Sequence, residues 1–126
     1  MNQVQIFLPT PDQKLHSHNT GHHLAKAKVI KARRGHAKIL MLSAMNKAGI
    51  QGRWKKAEIS YVFYVPDYRR RDIVNMLQQE KASVDGIVDA KLIVGDHWQA
   101  LELGTVKVVV RKVKPGTAIV LERLDV

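Results

Sequence analysis

Between Pro66 and Gln99 the chain reads PDYRRRDIVNMLQQEKASVDGIVDAKLIVGDHWQ, and here stand the side chains best suited to chemistry on a phosphodiester. Arg69, Arg70 and Arg71 directly precede Asp72. Guanidinium groups fork onto phosphate oxygens, and a carboxylate can hold a divalent ion that activates water and stabilises a leaving oxygen. Lys81 and Asp85 lie four residues apart, which places them on one helical face. Asp96 follows in an apolar-flanked Gly-Asp turn. Arginines beside separated carboxylates describe a metal-dependent phosphodiesterase site, in which Asp72 and Asp96 are candidate metal ligands.

Each of these residues also has a plainer role. Asp72 stands where a helix N-cap belongs, and it can cap and bind metal together only if one carboxylate oxygen stays free. Asn75, three residues on, can bond back to the cap or offer its carbonyl to an ion; capping is the expectation. Glu80 is a candidate auxiliary acid, set against its reading as a solvated helix residue, which is expected. Lys81 and Asp85 could form no more than a surface pair worth a few tenths of a kcal/mol. Three consecutive arginines cannot all face one way, so two are expected to touch phosphates. Trp98, Tyr61, Phe63 and Tyr64 are assigned to the core or an interface rather than to base stacking.

The elements that position these residues follow from periodicity. Residues 2–8 alternate apolar and polar and read as a strand; the turn-rich stretch 9–21, with Lys14, His16 and His18, reads as a loop. Residues 22–48 have helical spacing, with Gly35 a point where the helix could kink or break and Gly49 a C-cap. Residues 57–65 form a β-branched, aromatic strand. Residues 72–90 read as a helix begun by Asp72, with Gly86 able to end it early. Residues 103–113 and 117–124 flank Pro115-Gly116 and read as a hairpin. The order β-α-β-α-β-β predicts an α+β fold in one domain spanning 1–126, a mixed four-stranded sheet with two helices on one face.

The 126 residues carry 21 Lys or Arg and 11 Asp or Glu, a formal net charge of +10. All of that excess lies in residues 1–57, where Asp12 is the sole acid; residues 58–126 balance to zero. A basic half beside an acid-bearing half suggests a surface that grips a polyanion next to a site that uses carboxylates. With no cysteine, disulfide scaffolds and thiolate sites are excluded. The histidines at 16, 18, 22 and 23 match no strong zinc spacing and suit a phosphate-contacting loop better. No apolar run is long enough to span a membrane and the first residues do not form a secretory signal, so a cytoplasmic protein without membrane contact is expected.

Taken in order, these motifs resemble the RusA family of Holliday-junction resolvases. The opening strand runs into Leu8-Pro9-Thr10-Pro11, similar to the family's LP-x-P, and then into a His18-Asn19 pair in a basic loop. Pro66, Asp67, Arg69, Arg70, Arg71, Asp72 and Asn75 match the family's P-D-x-R-R-R-D-x-D-N, Lys81 and Asp85 match a Lys with an Asp four residues on, and DGIVDA over 85–90 is similar to D-G-L-V-D-A.

The resemblance implies a small homodimeric endodeoxyribonuclease of phage or prophage type. It would resolve four-way DNA junctions by paired nicks, with Mg²⁺ (or Mn²⁺) as cofactor. Asp72, Asp96 and Lys81 would be catalytic, the lysine by neutralising charge in the transition state. Lys14, His18, Arg69, Arg70 and Arg71 would contact DNA. Two positions depart from the family: its second catalytic aspartate is Val74 here, and the first of its later acid pair is Gly95. A junction or duplex DNA-binding protein with a weakened site is the alternative this leaves open. Helix arithmetic adds a constraint. A continuous helix over 72–90 would separate its ends by about 28 Å, so Asp72 and Asp96 of one chain meet only if the helix stops or 91–96 folds back; otherwise the site is shared across a dimer.

Overall fold

The computed structural model describes residues 2–11 and 23–126, without the His23 side chain. The element order is β1 (Gln3–Pro9), α1 (His23–Ala48), β2 (Ala57–Val65), α2 (Ile73–Gln79), α3 (Lys81–Asp89), β3 (Leu101–Val110) and β4 (Gly116–Arg123). This is the expected mixed four-stranded α+β layer, with the second helix divided in two.

Alternation builds the core. Val4, Ile6 and Leu8 of β1 and Ala57, Ile59, Tyr61 and Phe63 of β2 point to one face of the sheet and are buried. They meet Ala37, Met41 and Met45 of α1 and Val84 and Ile87 of α3 in a single cluster. Among the described residues the opposite face has no helix upon it. It carries Gln3, Gln5 and Phe7, and Arg111 lies over the Tyr64 ring there, 3.7 Å from its centroid, a cation–π contact.

The predicted hairpin does not form. The strand order is β1-β4-β2-β3, with β4 antiparallel to both β1 and β2, and β3 parallel to β2 at the edge. Residues 111–115 therefore carry the chain across β2. Burial explains the exchange: Thr117, Ala118, Ile119 and Leu121 are all buried, the near-continuous apolar run of a central strand. The edge strand instead exposes Glu102, Thr105 and Lys107, residues that blunt an edge against unwanted pairing.

Glycines and caps set the helices. Gly35 leaves α1 unbroken across its 26 residues, so the break it could have allowed does not occur. Gly49, at φ +68°, closes α1 with its N–H on the Asn46 carbonyl (3.2 Å) and the Ile50 N–H on that of Met45 (2.8 Å), a Schellman motif. Gly86 does not end a helix. It lies inside α3 where α1 crosses, and a Cβ there would stand 2.2 Å from the Arg34 carbonyl oxygen. Its lack of a side chain is what lets the two helices touch.

Candidate functional site

Asp72 sits at the start of α2 with extended backbone, and its Oδ1 accepts the N–H groups of Val74 (2.8 Å) and Asn75 (3.3 Å). Asn75 thus supports the cap through its backbone. Among the described residues the second oxygen of Asp72, Oδ2, has no hydrogen-bond partner, which meets the condition for capping and ligation together. Val74 is 60% exposed, so the side chain standing where the family has an acid is not packed into the core.

The arginine loop divides its labour. Arg71 donates to the carbonyls of Asp67 (3.0 Å) and Arg69 (2.9 Å) and to Asp67 Oδ1 (2.9 Å), bracing the loop from within. The Arg69 N–H also reaches Asp67 Oδ1, and this backbone donor together with the Arg71 guanidinium holds the Asp67 carboxyl below its usual range. Arg69 and Arg70 are exposed and have no side-chain partner among the described residues. Two of the three arginines are therefore available to a ligand.

Both face a cleft of about 820 Å³ that Asp72 also lines, with Asn75, Met76 and Gln79 along α2, Val65 and Pro66 at the end of β2, and Thr10, Pro11 and Pro115 opposite. Among the described residues Asp72 is the acid lining this cleft, and Asp96 is not among its walls.

Asp96 belongs to a second group. Past α3 the chain turns at Lys91 (φ +66°) and runs back along the helix, pinned where the Trp54 N–H meets the Leu92 carbonyl (2.7 Å) and the Val94 N–H meets that of Trp54 (3.0 Å). This return brings Asp96 to the first residue of α3. Lys81 Nζ donates to Asp85 Oδ1 at 2.8 Å and to Asp96 Oδ2 at 2.5 Å. Asp85 and then Asp96 hold the lysine above its ordinary range, and the lysine holds the Asp96 carboxyl below its own. The pairing of Lys81 with Asp85 alone is thus an incomplete reading: one ammonium joins two carboxylates. The chain does fold back over 91–96, and the helix breaks at Glu80 rather than near Gly86, yet the return brings Asp96 to Lys81 and not to the cleft that Asp72 lines.

Glu80 corrects its expected role. It is fully buried, not solvated, and lies between α2 and α3. Arg33 of α1, 8% exposed, donates from Nη2 to both its oxygens at 2.9 Å, from Nε to Glu80 Oε1 (3.2 Å) and to Ser83 Oγ (3.1 Å), and from Nη1 to the Pro9 carbonyl (2.9 Å). Ser83 Oγ adds a bond to Glu80 Oε1 at 2.7 Å. With both oxygens so engaged, Glu80 serves the fold rather than an ion. Arg33 itself was not anticipated, yet a signal existed: it continues the buried stripe Ala37, Met41, Met45 at intervals of four, and a charge on an apolar stripe requires a buried partner. Of the aromatics assigned to the core or an interface, Tyr61 (6% exposed) and Phe63 (4%) lie in the core, whereas Trp98 is 81% exposed and not a core residue.

Lys14, His16, His18 and His22 lie outside the described residues, and His23 is described only by its backbone, as the first residue of α1. No family model matches the chain, and no curated protein matches it.

Proposed function

We propose that the protein is a Mg²⁺-dependent endodeoxyribonuclease selective for branched DNA, nicking four-way junctions as a homodimer. The observation that carries this reading is the Lys81–Asp96 contact. Two residues fifteen apart in sequence, both singled out by resemblance to the RusA family, meet through a return of the chain that no local pattern required.

The donors suit Mg²⁺, which keeps several waters and binds through one or two carboxylates plus substrate phosphate. Asp72 Oδ2 is unpartnered among the described residues, and the Asp85–Asp96 pair already accepts a cation, the Lys81 ammonium. No group of three His, Asp or Glu side chains suited to a metal gathers among the described residues, so phosphate and water oxygens would complete the coordination. Bound there, Mg²⁺ would lower the pKa of a water and stabilise the departing oxygen. Arg69 and Arg70 would seat the phosphates on either side of the scissile bond. Lys81, freed from one carboxylate by substrate, would place its charge against the negative charge building on phosphorus. Lys14 and His18, with the basic N-terminal half, would hold the flanking strands. A two-fold dimer supplies two such sites for paired nicks. Such an enzyme would work in recombination and repair in the cytoplasm of a bacterial or phage-infected cell. Among the described residues no helix is long and apolar enough to cross a membrane.

One observation favours a second reading. Val74 and Gly95 stand where the RusA family has acids, and a chain so altered could bind junctions without cutting them. Nicking of a labelled four-way junction, with Mg²⁺ or with EDTA, separates the two. Wild type should nick only with metal, whereas Asp72→Asn and Asp96→Asn should bind the junction as tightly or more tightly and leave it whole. Binding without nicking by the wild type across a Mg²⁺ and Mn²⁺ titration would select the second reading; a variant that cuts at the wild-type rate would remove its residue from the site.

A further inference from the structure

From the shape and chemistry of the cleft beside Asp72 we infer that it receives an unstacked nucleotide, the base against its apolar lining and the adjoining phosphate on Arg69 or Arg70. The inference rests on the nucleic-acid reading above and adds the form in which the strand is held. A volume of about 820 Å³ lies within the range of pockets that enclose small molecules. A grip on phosphate alone has no use for such a volume. Val65, Pro66, Met76 and Pro115 give the cleft apolar lining, suited to the flat face of a base. Gly116, on one wall, lets β4 lie close against β1: a Cβ there would stand 2.3 Å from the Leu8 carbonyl oxygen and 2.6 Å from the Phe7 ring.

The polar groups are placed for a base edge and a backbone. Gln79 lines the cleft, and its amide, able to donate and to accept, has no partner among the described residues. A base out of its stack presents donors and acceptors to such groups. At the rim, Arg69 and Arg70 are exposed cations without partners among the described residues. Withdrawing a base from intact duplex costs several kcal/mol and least where it is already unpaired. The cleft would therefore favour a branch point over continuous duplex, and preference for structure would reside in the bound base rather than in the basic surface.

The test uses the full chain without Mg²⁺, so that no cleavage is needed, and four-way junctions carrying 2-aminopurine or pyrrolocytosine either at the branch or deep in an arm. Emission should rise several-fold on binding when the probe is at the branch and stay flat when it is in the arm. Gln79→Trp, which fills the cleft, should abolish the rise and weaken junction binding about tenfold, in line with the loss of one stacked base, while linear-duplex affinity stays within about twofold. Tight junction binding by the wild type with no rise at any branch position would overturn the inference and leave the phosphate-grip reading intact. So would a folded Gln79→Trp that keeps both the rise and the affinity. Absence of binding to junction and duplex alike at low salt would instead refute the nucleic-acid reading itself.

Discussion

Arg33→Met should be the most damaging single change outside the cleft. The substitution removes every Arg33 hydrogen bond to Glu80, Ser83 and the Pro9 carbonyl while leaving Glu80 fully buried, with the Ser83 hydroxyl as its remaining side-chain donor. Removing one member of a buried pair costs about 3–5 kcal/mol, because the survivor is a charge without compensation. For a chain of 126 residues the unfolding entropy near the midpoint is roughly 0.26 kcal/mol/K, so the midpoint should fall by roughly 11–19 °C. Arg33→Met/Glu80→Leu replaces both partners by apolar groups and should regain most of that loss. Activity should not return with it. Arg33 joins the end of β1, which leads into Thr10 and Pro11 on one wall of the cleft, to the α2–α3 junction behind the other wall. The restored double variant should thus fold well yet bind and nick junctions poorly. Urea unfolding and calorimetry of wild type, both single variants and the double variant make a complete cycle. A loss below about 1 kcal/mol for Arg33→Met, or a double variant no more stable than that single, would refute the account of the pair as a buried and mutually compensating unit.

Other outcomes follow from the same geometry. Val74→Asp should leave the melting temperature within a few degrees, since Val74 is 60% exposed, and should raise nicking or lower the metal requirement; a folded variant with no gain, beside an efficient wild type, would show that another group already supplies the acid. Junction affinity should fall linearly in log–log with salt, at a slope near −0.9 per phosphate neutralised, and Arg70→Glu should flatten that slope without changing sequence preference. The Lys81–Asp96 pair should contribute to stability throughout the neutral range. Asp96 is depressed by Lys81, so its contribution is present above the ordinary aspartate value of about 3.9 and disappears as pH falls through the lower folded value. Lys81 is raised by Asp85 and Asp96, so its contribution is present below about 10.4 and disappears as pH rises through the higher folded value. Comparing the pH dependence of unfolding for wild type and Asp96→Asn should show their difference shrinking at both extremes.

Local chemistry was legible in the chain before any fold was known. The alternation of Val4, Ile6 and Leu8, the β-branched run at 57–65, the glycine that closes α1 and the aspartate that opens α2 all act through neighbours in sequence, by backbone hydrogen bonds and side-chain period. They appear where pattern places them. What the tertiary structure decided were the choices among partners far apart in the chain. Gly116 opens β4, paired with Pro9 and Tyr64, rather than turning a hairpin; whether β4 folds back on β3 or inserts between β1 and β2 depends on which strand has more apolar surface to bury on both faces, a comparison made across the whole sheet. Helical period ran through Glu80 without showing that Arg33 would meet it there, because a buried charge selects its partner by proximity in space. Asp96 and Lys81 met because Trp54, some forty residues away, holds the returning strand by its backbone. Residue type and spacing nominated the site, and long-range packing set which of its members stand together.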